Sequence, residues 1–431
     1  MSIKIHIDSL TVPERSKIVK ELKFSKKESK YNKFVINPII NPYDTDDDDN
    51  IYLPFYWALH NIGSCRRPNR DVYYDLETNF NKEIKLRANQ KIVKKEVIEK
   101  LNKDGSCILS LYTGFGKTLL SINLACKIKL KTLIIISRMV LIKQWNTTIN
   151  KCCENAKIQV LTPRTPINLE NDFFIMNAIN IPKKPHGFFD NIGTVITDEI
   201  HLIATEKLIQ SFNYLRPRYM IGLSATPTRP DGMDCLLDVY YGKEKINRKL
   251  YKKHFVYKIN TDFVPNFKIG ITGKVDWNSL LESQTEDTDR NELIIKIIKY
   301  FKNRFFLILS KRVKQVEYLV NRLKTVGESV TSLVGDNKDY DENSRILVAT
   351  VQKAGVGFDH PKLDALILAS DLEEYFIQYL GRVMRREDVE PYIFDIVDNN
   401  RILKSHFYVR RKVYLEHGGE IHNFYRSFPD F

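Results

Sequence analysis

The chain has 431 residues, 43% of them hydrophobic and 28% charged, with a formal net charge of +14. That balance excludes a disordered or fibrous chain, and the length provides for more than one domain core. A basic excess of this size favours a polyanionic partner, nucleic acid first.

Six cysteines, Cys65, Cys107, Cys126, Cys152, Cys153 and Cys235, form no C-x-x-C pair and no zinc-type spacing. They read as small buried residues of a reduced protein, with Cys152 and Cys153 structural. No apolar run is long enough for a membrane span, and MSIKIHIDSL lacks a secretory pattern. The expectation is a soluble, intracellular protein with no membrane partner.

Residues 1–80 are expected as a small accessory region. Ile3, Ile5 and Ile7 alternate with Lys4 and His6, a strand pattern, and Pro13–Leu22 reads as a helix. Asp44 and Asp46–Asp49 read as a solvated loop, since consecutive aspartates lack the alternation of a calcium loop. Ile51–Trp57 is apolar and aromatic, suited to packing on the next domain. Arg66, Arg67 and Arg70 read as solvated surface, with phosphate contact as the alternative.

From about Ile84 the rhythm is α/β. A helix is expected from Leu86 to Lys100. Cys107–Leu111 reads as a strand, and LYTGFGKT, Leu111–Thr118, runs from it into a helix over Leu119–Lys129. Glycines let backbone N–H groups curl round an anion, and helix N-terminal amides then face it. Lys117 suits the β/γ-phosphates and Thr118 a Mg²⁺ ion. Leu111 stands where the longer phosphate-loop pattern has its first glycine.

Further strands are expected at Thr132–Ser137, Ile158–Leu161, Phe173–Met176, Thr194–Thr197 and Tyr219–Leu223, with a helix at Leu141–Ile149. Strands alternating with helices imply a parallel sheet whose ligands bind at strand carboxyl ends. Asp198-Glu199-Ile200-His201 and Ser224-Ala225-Thr226 both follow strands. Asp198 suits Mg²⁺, and Glu199 the activation of an attacking water.

Tyr240-Tyr241-Gly242 is expected to end the first unit. His254–Thr261 reads as a strand and Ser283–Asp289 as a polar loop. A second α/β unit follows. Its helices are expected at Leu293–Tyr300, Val313–Leu323 and Leu403–Leu415. Its strands are expected at Phe305–Leu309, Ile346–Thr350, Leu366–Ala369 and Tyr392–Val397. The expected division is 1–80, 81–243 and 244–431.

With these segments in place, residues 84–400 resemble a superfamily 2 helicase or translocase of the DExH type. Leu86-Arg87-x-x-Gln90 resembles the adenine-reading element, and T-G-F-G-K-T resembles motif I, which does not demand the first glycine. Ser137-Arg138 with Leu141 and Gln144-Trp145 resembles motif Ia, DEIH motif II, and Ser224-Ala225-Thr226 motif III. Ser310-Lys311-Arg312 resembles motif IV, Thr350–Asp359 motif V, and Gln378-x-x-Gly381-Arg382-x-x-Arg385 motif VI. The run GLSATPTRPDG resembles the XPB/UvsW-type branch. YLPFYWAL, Arg290–Ile294 and HFYVRRKVYLEHGG resemble transcript-release DNA helicases of large cytoplasmic DNA viruses.

The resemblance implies two tandem RecA-like lobes and ATP hydrolysis with Mg²⁺. It implies nucleotide contacts from Gln90, Thr113, Gly114, Phe115, Gly116, Lys117, Thr118, Leu119, Asp198, Gly357, Asp359, Arg382 and Arg385. Catalysis would fall to Lys117, Glu199, Arg382 and Arg385, with Arg385 as the finger to the γ-phosphate and Arg386 as the neighbour that competes for the role. Thr118 and Asp198 would hold the metal, and Ser137, Arg138, Ser310, Lys311 and Thr350 would touch nucleic acid.

The expected partner is DNA, in transcript release, repair or recombination, with RNA as the alternative. A monomer is expected, working with transcription or repair machinery. A viral member would reside in host cytoplasm or the virion.

Overall fold

Runs such as Thr132–Ile136 and Phe306–Ser310 are apolar on both faces, which suits strands covered by helices on each side of a sheet. In the computed structural model these runs are interior strands of two all-parallel sheets, one in each of two compact units, Met1–Arg248 and Lys249–Phe431. The structure describes residues 1–25, 39–225, 229, 231–270, 275–335, 340–355, 360–372 and 376–425.

The first unit begins with β1 (Ser2–His6), α1 (Val12–Glu21), β2 (Asp44–Thr45), β3 (Asn50–Pro54) and α2 (Phe55–Asn61). The three strands form a small antiparallel sheet in the order β1-β3-β2. Thr11 and Glu14 cap α1 reciprocally, with Pro13 in its first turn, where a missing N–H costs nothing. Ile51, Leu53, Phe55 and Trp57 are buried in the same core as Ile108, Leu133 and Met220 of the large sheet. The accessory region is therefore part of the first unit's core. Asp46 turns the acidic run back on itself, accepting from the backbone N–H groups of Asp48 and Asn50 and from the Tyr52 hydroxyl.

There follow α3 (Ala88–Asp104), β4 (Ser106–Leu111), α4 (Lys117–Ile128), β5 (Thr132–Ile136), α5 (Val140–Cys152), β6 (Ile158–Leu161) and β7 (Phe173–Asn177). The unit closes with β8 (Thr194–Thr197), α6 (Glu206–Ile209), β9 (Tyr219–Ser224), α7 (Cys235–Tyr241) and β10 (Lys245–Arg248). The sheet order is β10-β4-β9-β8-β5-β7-β6. β10 lies beyond Gly242, yet pairs with β4 from Lys245 opposite Ile108 to Arg248 opposite Leu111.

The arginine cluster after α2 is spent on carbonyl groups. Arg67 donates to Leu101 O and Asn102 O at the end of α3, and Arg66 to Gly63 O and Cys65 O. Arg70 pairs with Asp75 and reaches Lys129 O, at the end of α4. Of these acceptors Asn102 O lies in the last turn of α3, where a helix leaves carbonyls without an internal partner.

The second unit comprises β11 (His254–Asn260), α8 (Trp277–Glu286), α9 (Thr288–Tyr300), β12 (Phe306–Ser310), α10 (Val313–Thr325), β13 (Val330–Leu333) and β14 (Ile346–Thr350). It continues with α11 (Val351–Ala354), β15 (Ala365–Leu368), α12 (Phe376–Val383), β16 (Tyr392–Val397), α13 (Arg401–Glu416) and β17 (Gly419–Tyr425), in the sheet order β13-β14-β12-β15-β16-β11-β17.

The loop expected at Ser283–Asp289 is instead the end of α8 and the start of α9. Gln284 and Thr285 are buried, and the Asp287 carboxylate caps α9 by accepting from the Arg290 N–H at 2.7 Å. Polarity here marks an inward hydrogen-bonding face and a cap rather than solvent. Among the described residues no helix is long and apolar enough to cross a membrane.

Candidate functional site

In a parallel sheet all strands end at one edge, so β4, β5, β8 and β9 deliver their following residues to the same side. After β4 the chain turns through Tyr112–Gly116 into α4. Gly114 and Gly116 hold φ of 90° and 89°, a region that a Cβ disfavours. A Cβ on Gly116 would stand 2.6 Å from Gln90 Nε2. The Phe115 ring is buried and pins the loop from below, while Gly114 is exposed and Thr113, Lys117, Thr118 and Leu119 are half-buried. Lys117 opens α4 and donates to Leu111 O at 2.9 Å, so its ammonium lies at the end of β4.

Gln90 and Arg87 brace this loop. Gln90 Nε2 donates to Phe115 O at 2.8 Å, while its Oε1 accepts from the Arg87 N–H at 2.9 Å. The Arg87 guanidinium donates to Gly114 O at 3.2 Å and to Phe115 O. Gln90 is buried and holds the loop's shape, and Arg87 of the same Leu86-Arg87-x-x-Gln90 element shares that work.

Asp198 and Glu199 follow β8. Trp145 of α5 donates its indole N–H to Asp198 Oδ2 at 2.9 Å, and the Glu199 N–H donates to Asp198 Oδ1 at 3.0 Å. Burial and the neighbouring Glu199 push the Asp198 carboxyl up to about 6, against the pull of Trp145 and Lys117. Glu199 holds φ at 45°, uncommon for a residue with a side chain and a form of strain that clusters at functional sites. Glu199 Oε2 is buried without a hydrogen bond, 3.4 Å from His201 Nδ1. Two adjacent carboxylates, one raised and one with a buried oxygen lacking a hydrogen bond, make a donor set that suits a hard divalent cation.

His201 joins this pair to the end of β9. Its Nδ1 lies 2.9 Å from Ser224 Oγ, both residues being buried. Burial, with the Arg229 charge second, pushes His201 down to about 4. Arg229 donates to His201 O at 2.8 Å and pairs with Asp231 at 2.7 Å. Ser137 and Arg138 follow β5, with Arg138 exposed and the Ser137 hydroxyl turned inward. Thr226 and Pro227 lie outside the described residues, as do Gly357 and Asp359.

In the second unit Ser310 is not at the surface. Its hydroxyl donates to Gln315 Oε1 at 2.7 Å and meets Ser370 Oγ at 3.3 Å, all three residues being buried. Gln315 in turn donates to Asn291 Oδ1 at 2.9 Å. Lys311 is exposed beside it, and Thr350 is nearly buried at the start of α11. Arg382 and Arg385 are half-buried, and both charges act on the Tyr340 phenol. Burial pulls Arg385 below the ordinary arginine range. Arg386 is held by Asp388 at 2.6 Å and by Asp364 at 3.1 Å. Those bonds separate Arg386 from its two neighbours in the motif. The contacts of Ser310 and Trp145 are not legible in the linear sequence, since the Ser370 hydroxyl and the Asp198 carboxylate that they touch are far away along the chain.

Residues 83–229 match the family described as Type III restriction enzyme, res subunit. The chain is 42% identical to "Putative helicase 161L" of Invertebrate iridescent virus 6, over 98% of this chain and all of that one. It is 25% identical to "Putative ATP-dependent RNA helicase L396" of Acanthamoeba polyphaga mimivirus, over 90% of this chain and 78% of that one. Its fold is similar to that of S. cerevisiae Dbp5 bound to RNA and ADP BeF3. There the TM-score is 0.55 at 12% identity, covering 77% of this chain and 89% of that one. A glycine turn and a carboxylate pair at one edge of a RecA-like sheet, with a second such sheet following, mark the chain as a superfamily 2 helicase, an ATP-hydrolysing enzyme. Within that class the chain belongs to the helicase family of the iridescent-virus 161L protein.

Proposed function

We propose that the protein is an ATP-driven DNA translocase or helicase that serves transcript release, repair or recombination. The observation that carries this reading is the joined edge of the first sheet: the Gly114–Gly116 turn, Lys117, the Asp198–Glu199 pair, and the His201–Ser224 contact that ties the pair to the next strand. The match of 83–229 to a restriction-enzyme subunit favours DNA.

In this reading the turn's N–H groups and Lys117 cradle the nucleotide phosphates, and Gln90 with Arg87 keeps the turn open. Thr118 and Asp198 hold Mg²⁺, which when bound neutralises charge on the phosphate oxygens. Trp145 keeps Asp198 aimed, and Glu199 takes the proton of the attacking water. Arg385, with Arg382 beside it, stabilises charge on the transferred phosphoryl group. His201 stays neutral at physiological pH, so it passes position rather than charge to Ser224. Arg138, Lys311 and Thr350 meet the nucleic-acid backbone; the burial of Ser310 gives it the role of placing Lys311, whose N–H donates to Ser370 Oγ at 3.0 Å. Residues 1–80 form part of the first lobe.

The second reading is an RNA-directed helicase, favoured by the name of the mimivirus relative and by the RNA-bound yeast structure. ATP hydrolysis measured with single-stranded DNA, duplex DNA and RNA decides between them, with strand displacement on 3′- and 5′-tailed duplexes in parallel. The DNA reading expects the larger stimulation from DNA; stimulation by RNA alone overturns it. Lys117→Ala is expected to remove stimulated turnover while leaving the circular dichroism spectrum unchanged. Full turnover in that variant would reject the site.

A further inference from the structure

The helix α13 is held by one face, and its other face is exposed among the described residues. Leu403, His406, Phe407, Arg410 and Tyr414 point inward and are buried. Arg410 donates to Asp395 Oδ1 at 2.8 Å, to Asp371 Oδ1 at 2.9 Å and to Leu372 O at 2.8 Å. His406 Nδ1 lies 2.6 Å from Asp371 Oδ2, and the Tyr414 hydroxyl donates to Asp395 Oδ2 at 2.7 Å. Asn400 caps the first turn by accepting from the N–H groups of Ile402 and Leu403. A helix bonded at each inward turn cannot roll, so the set of side chains it presents outward is fixed.

The exposed residues are Arg401, Lys404, Ser405, Tyr408, Val409, Arg411, Lys412, Leu415 and Glu416, and among them Arg401, Lys404, Tyr408, Arg411, Lys412 and Leu415 share one helical face at spacings of three and four. A solvated helix face mixes charge signs. Here the helix has no acid before Glu416, and Glu416 faces Lys249 at 3.8 Å. Tyr408 is 60% exposed in the middle of the cations. The acids beneath the helix, Asp371 and Asp395, are answered by Arg410 and so do not cancel the outer charge. The cationic stretch from Arg401 to Lys412 is about 16 Å long at 1.5 Å per residue.

Cations in a row with an aromatic ring among them match a single nucleic-acid strand, phosphates on the cations and a base on the ring. An acidic protein would be served by the charges but gives Tyr408 no role. We propose that the outer face of α13 is a second nucleic-acid contact, a platform for a single strand separate from the strand-end residues Arg138, Lys311 and Thr350. The proposal rests on the nucleic-acid reading of the enzyme.

The test uses the full chain, a fluorescent oligothymidylate and a fluorescent oligouridylate, with affinity measured over a salt series. Arg411→Glu with Lys412→Glu is expected to flatten the slope of log affinity against log salt by about 1.4, two phosphates at about 0.7 each. Tyr408→Ala is expected to weaken binding about fivefold to a hundredfold, and Tyr408→Phe to restore it. Basal hydrolysis and the melting temperature are expected to stay at wild-type values; should the reversed pair lower the melting temperature, Arg411→Gln with Lys412→Gln replaces it. Unchanged affinity and slope in the variants, with wild-type protein binding normally, overturns the platform and leaves the enzyme reading intact; that is also the result if the face serves an acidic protein. Wild-type protein that binds no strand and is stimulated by none overturns the enzyme reading itself.

Discussion

The two units use polar groups at their strand ends in opposite ways. In the first, Asp198 accepts from Trp145 and from the Glu199 N–H, but its charge is opposed by Glu199 and by burial, and Glu199 keeps a buried oxygen without a hydrogen bond. In the second, Ser310, Gln315 and Ser370 close on one another, and Asp371 and Asp395 close on Arg410. An edge that binds an ion holds carboxylates in excess of local cations, at a cost in stability. An edge that only positions other residues satisfies its own groups. The contrast leaves strained, opposed carboxylates at the strand ends of the first unit and a satisfied, rigid network in the second.

The largest effect expected from breaking this contrast is at the arginines that follow α12. Arg385→Ala should lower kcat for nucleic-acid-stimulated hydrolysis by about 10³- to 10⁵-fold while nucleotide still binds, as measured by turnover and by fluorescent-nucleotide titration. Arg386→Ala should leave hydrolysis far closer to wild type, because that guanidinium is held by Asp364 and Asp388.

Next comes the interior of the second unit. Arg410→Met strands Asp395 and Asp371 without their cation and should lower stability by about 3–5 kcal/mol, read by urea unfolding. A loss under about 1 kcal/mol would show that the network is solvated and that α13 is loosely held.

In the first unit, Trp145→Phe keeps the packing and removes the bond to Asp198. Its expected effect is a 10- to 100-fold rise in the Mg²⁺ concentration needed for half-maximal hydrolysis, since groups that orient a metal ligand carry about that much affinity. An unchanged magnesium requirement would detach Trp145 from the site.

The smallest effect concerns pH. A histidine lowered from 6.5 to about 4 leaves the unfolded chain binding more protons in that window, so its contribution to stability is lost as pH falls from 6.5 towards 4. Asp198, raised from 3.8 to about 6, works the other way: it favours the folded state at low pH and loses that contribution as pH rises through 6. The two oppose each other in wild type. His201→Gln should therefore unmask the Asp198 trend, so that stability rises as pH falls from 6 towards 4, by thermal melts across that range; a profile identical to wild type would reject the burial of a neutral His201.

Much of the first unit's site is local in sequence. Gly114, Gly116, Lys117 and Thr118 sit on one turn, and Asp198 and Glu199 are adjacent, so strand–loop–helix context sufficed to place them. The bracing of Phe115 O by Gln90 and of Asp198 by Trp145 joins separate segments, and residue type alone does not show which way a glutamine or an indole points. The polar run Ser283–Asp289 misled because buried hydrogen-bonding residues and solvated ones have the same composition; only the position of Asp398, which accepts from Gln284 at 2.6 Å, separates them.

By itself, then, the chain's pattern determined the two parallel-sheet units, because apolar runs buried on both faces and interleaved with helices admit few other packings. It also determined the glycine turn after β4 and the carboxylate pair after β8, since both consist of neighbours in sequence. Tertiary structure alone decided that Ser310 is internal, that Arg386 is engaged, that β10 pairs with β4, and that α13 turns its arginine inward at 410 and outward at 411. Those outcomes depend on which distant carboxylate or strand edge comes within reach, and a linear pattern does not carry that distance.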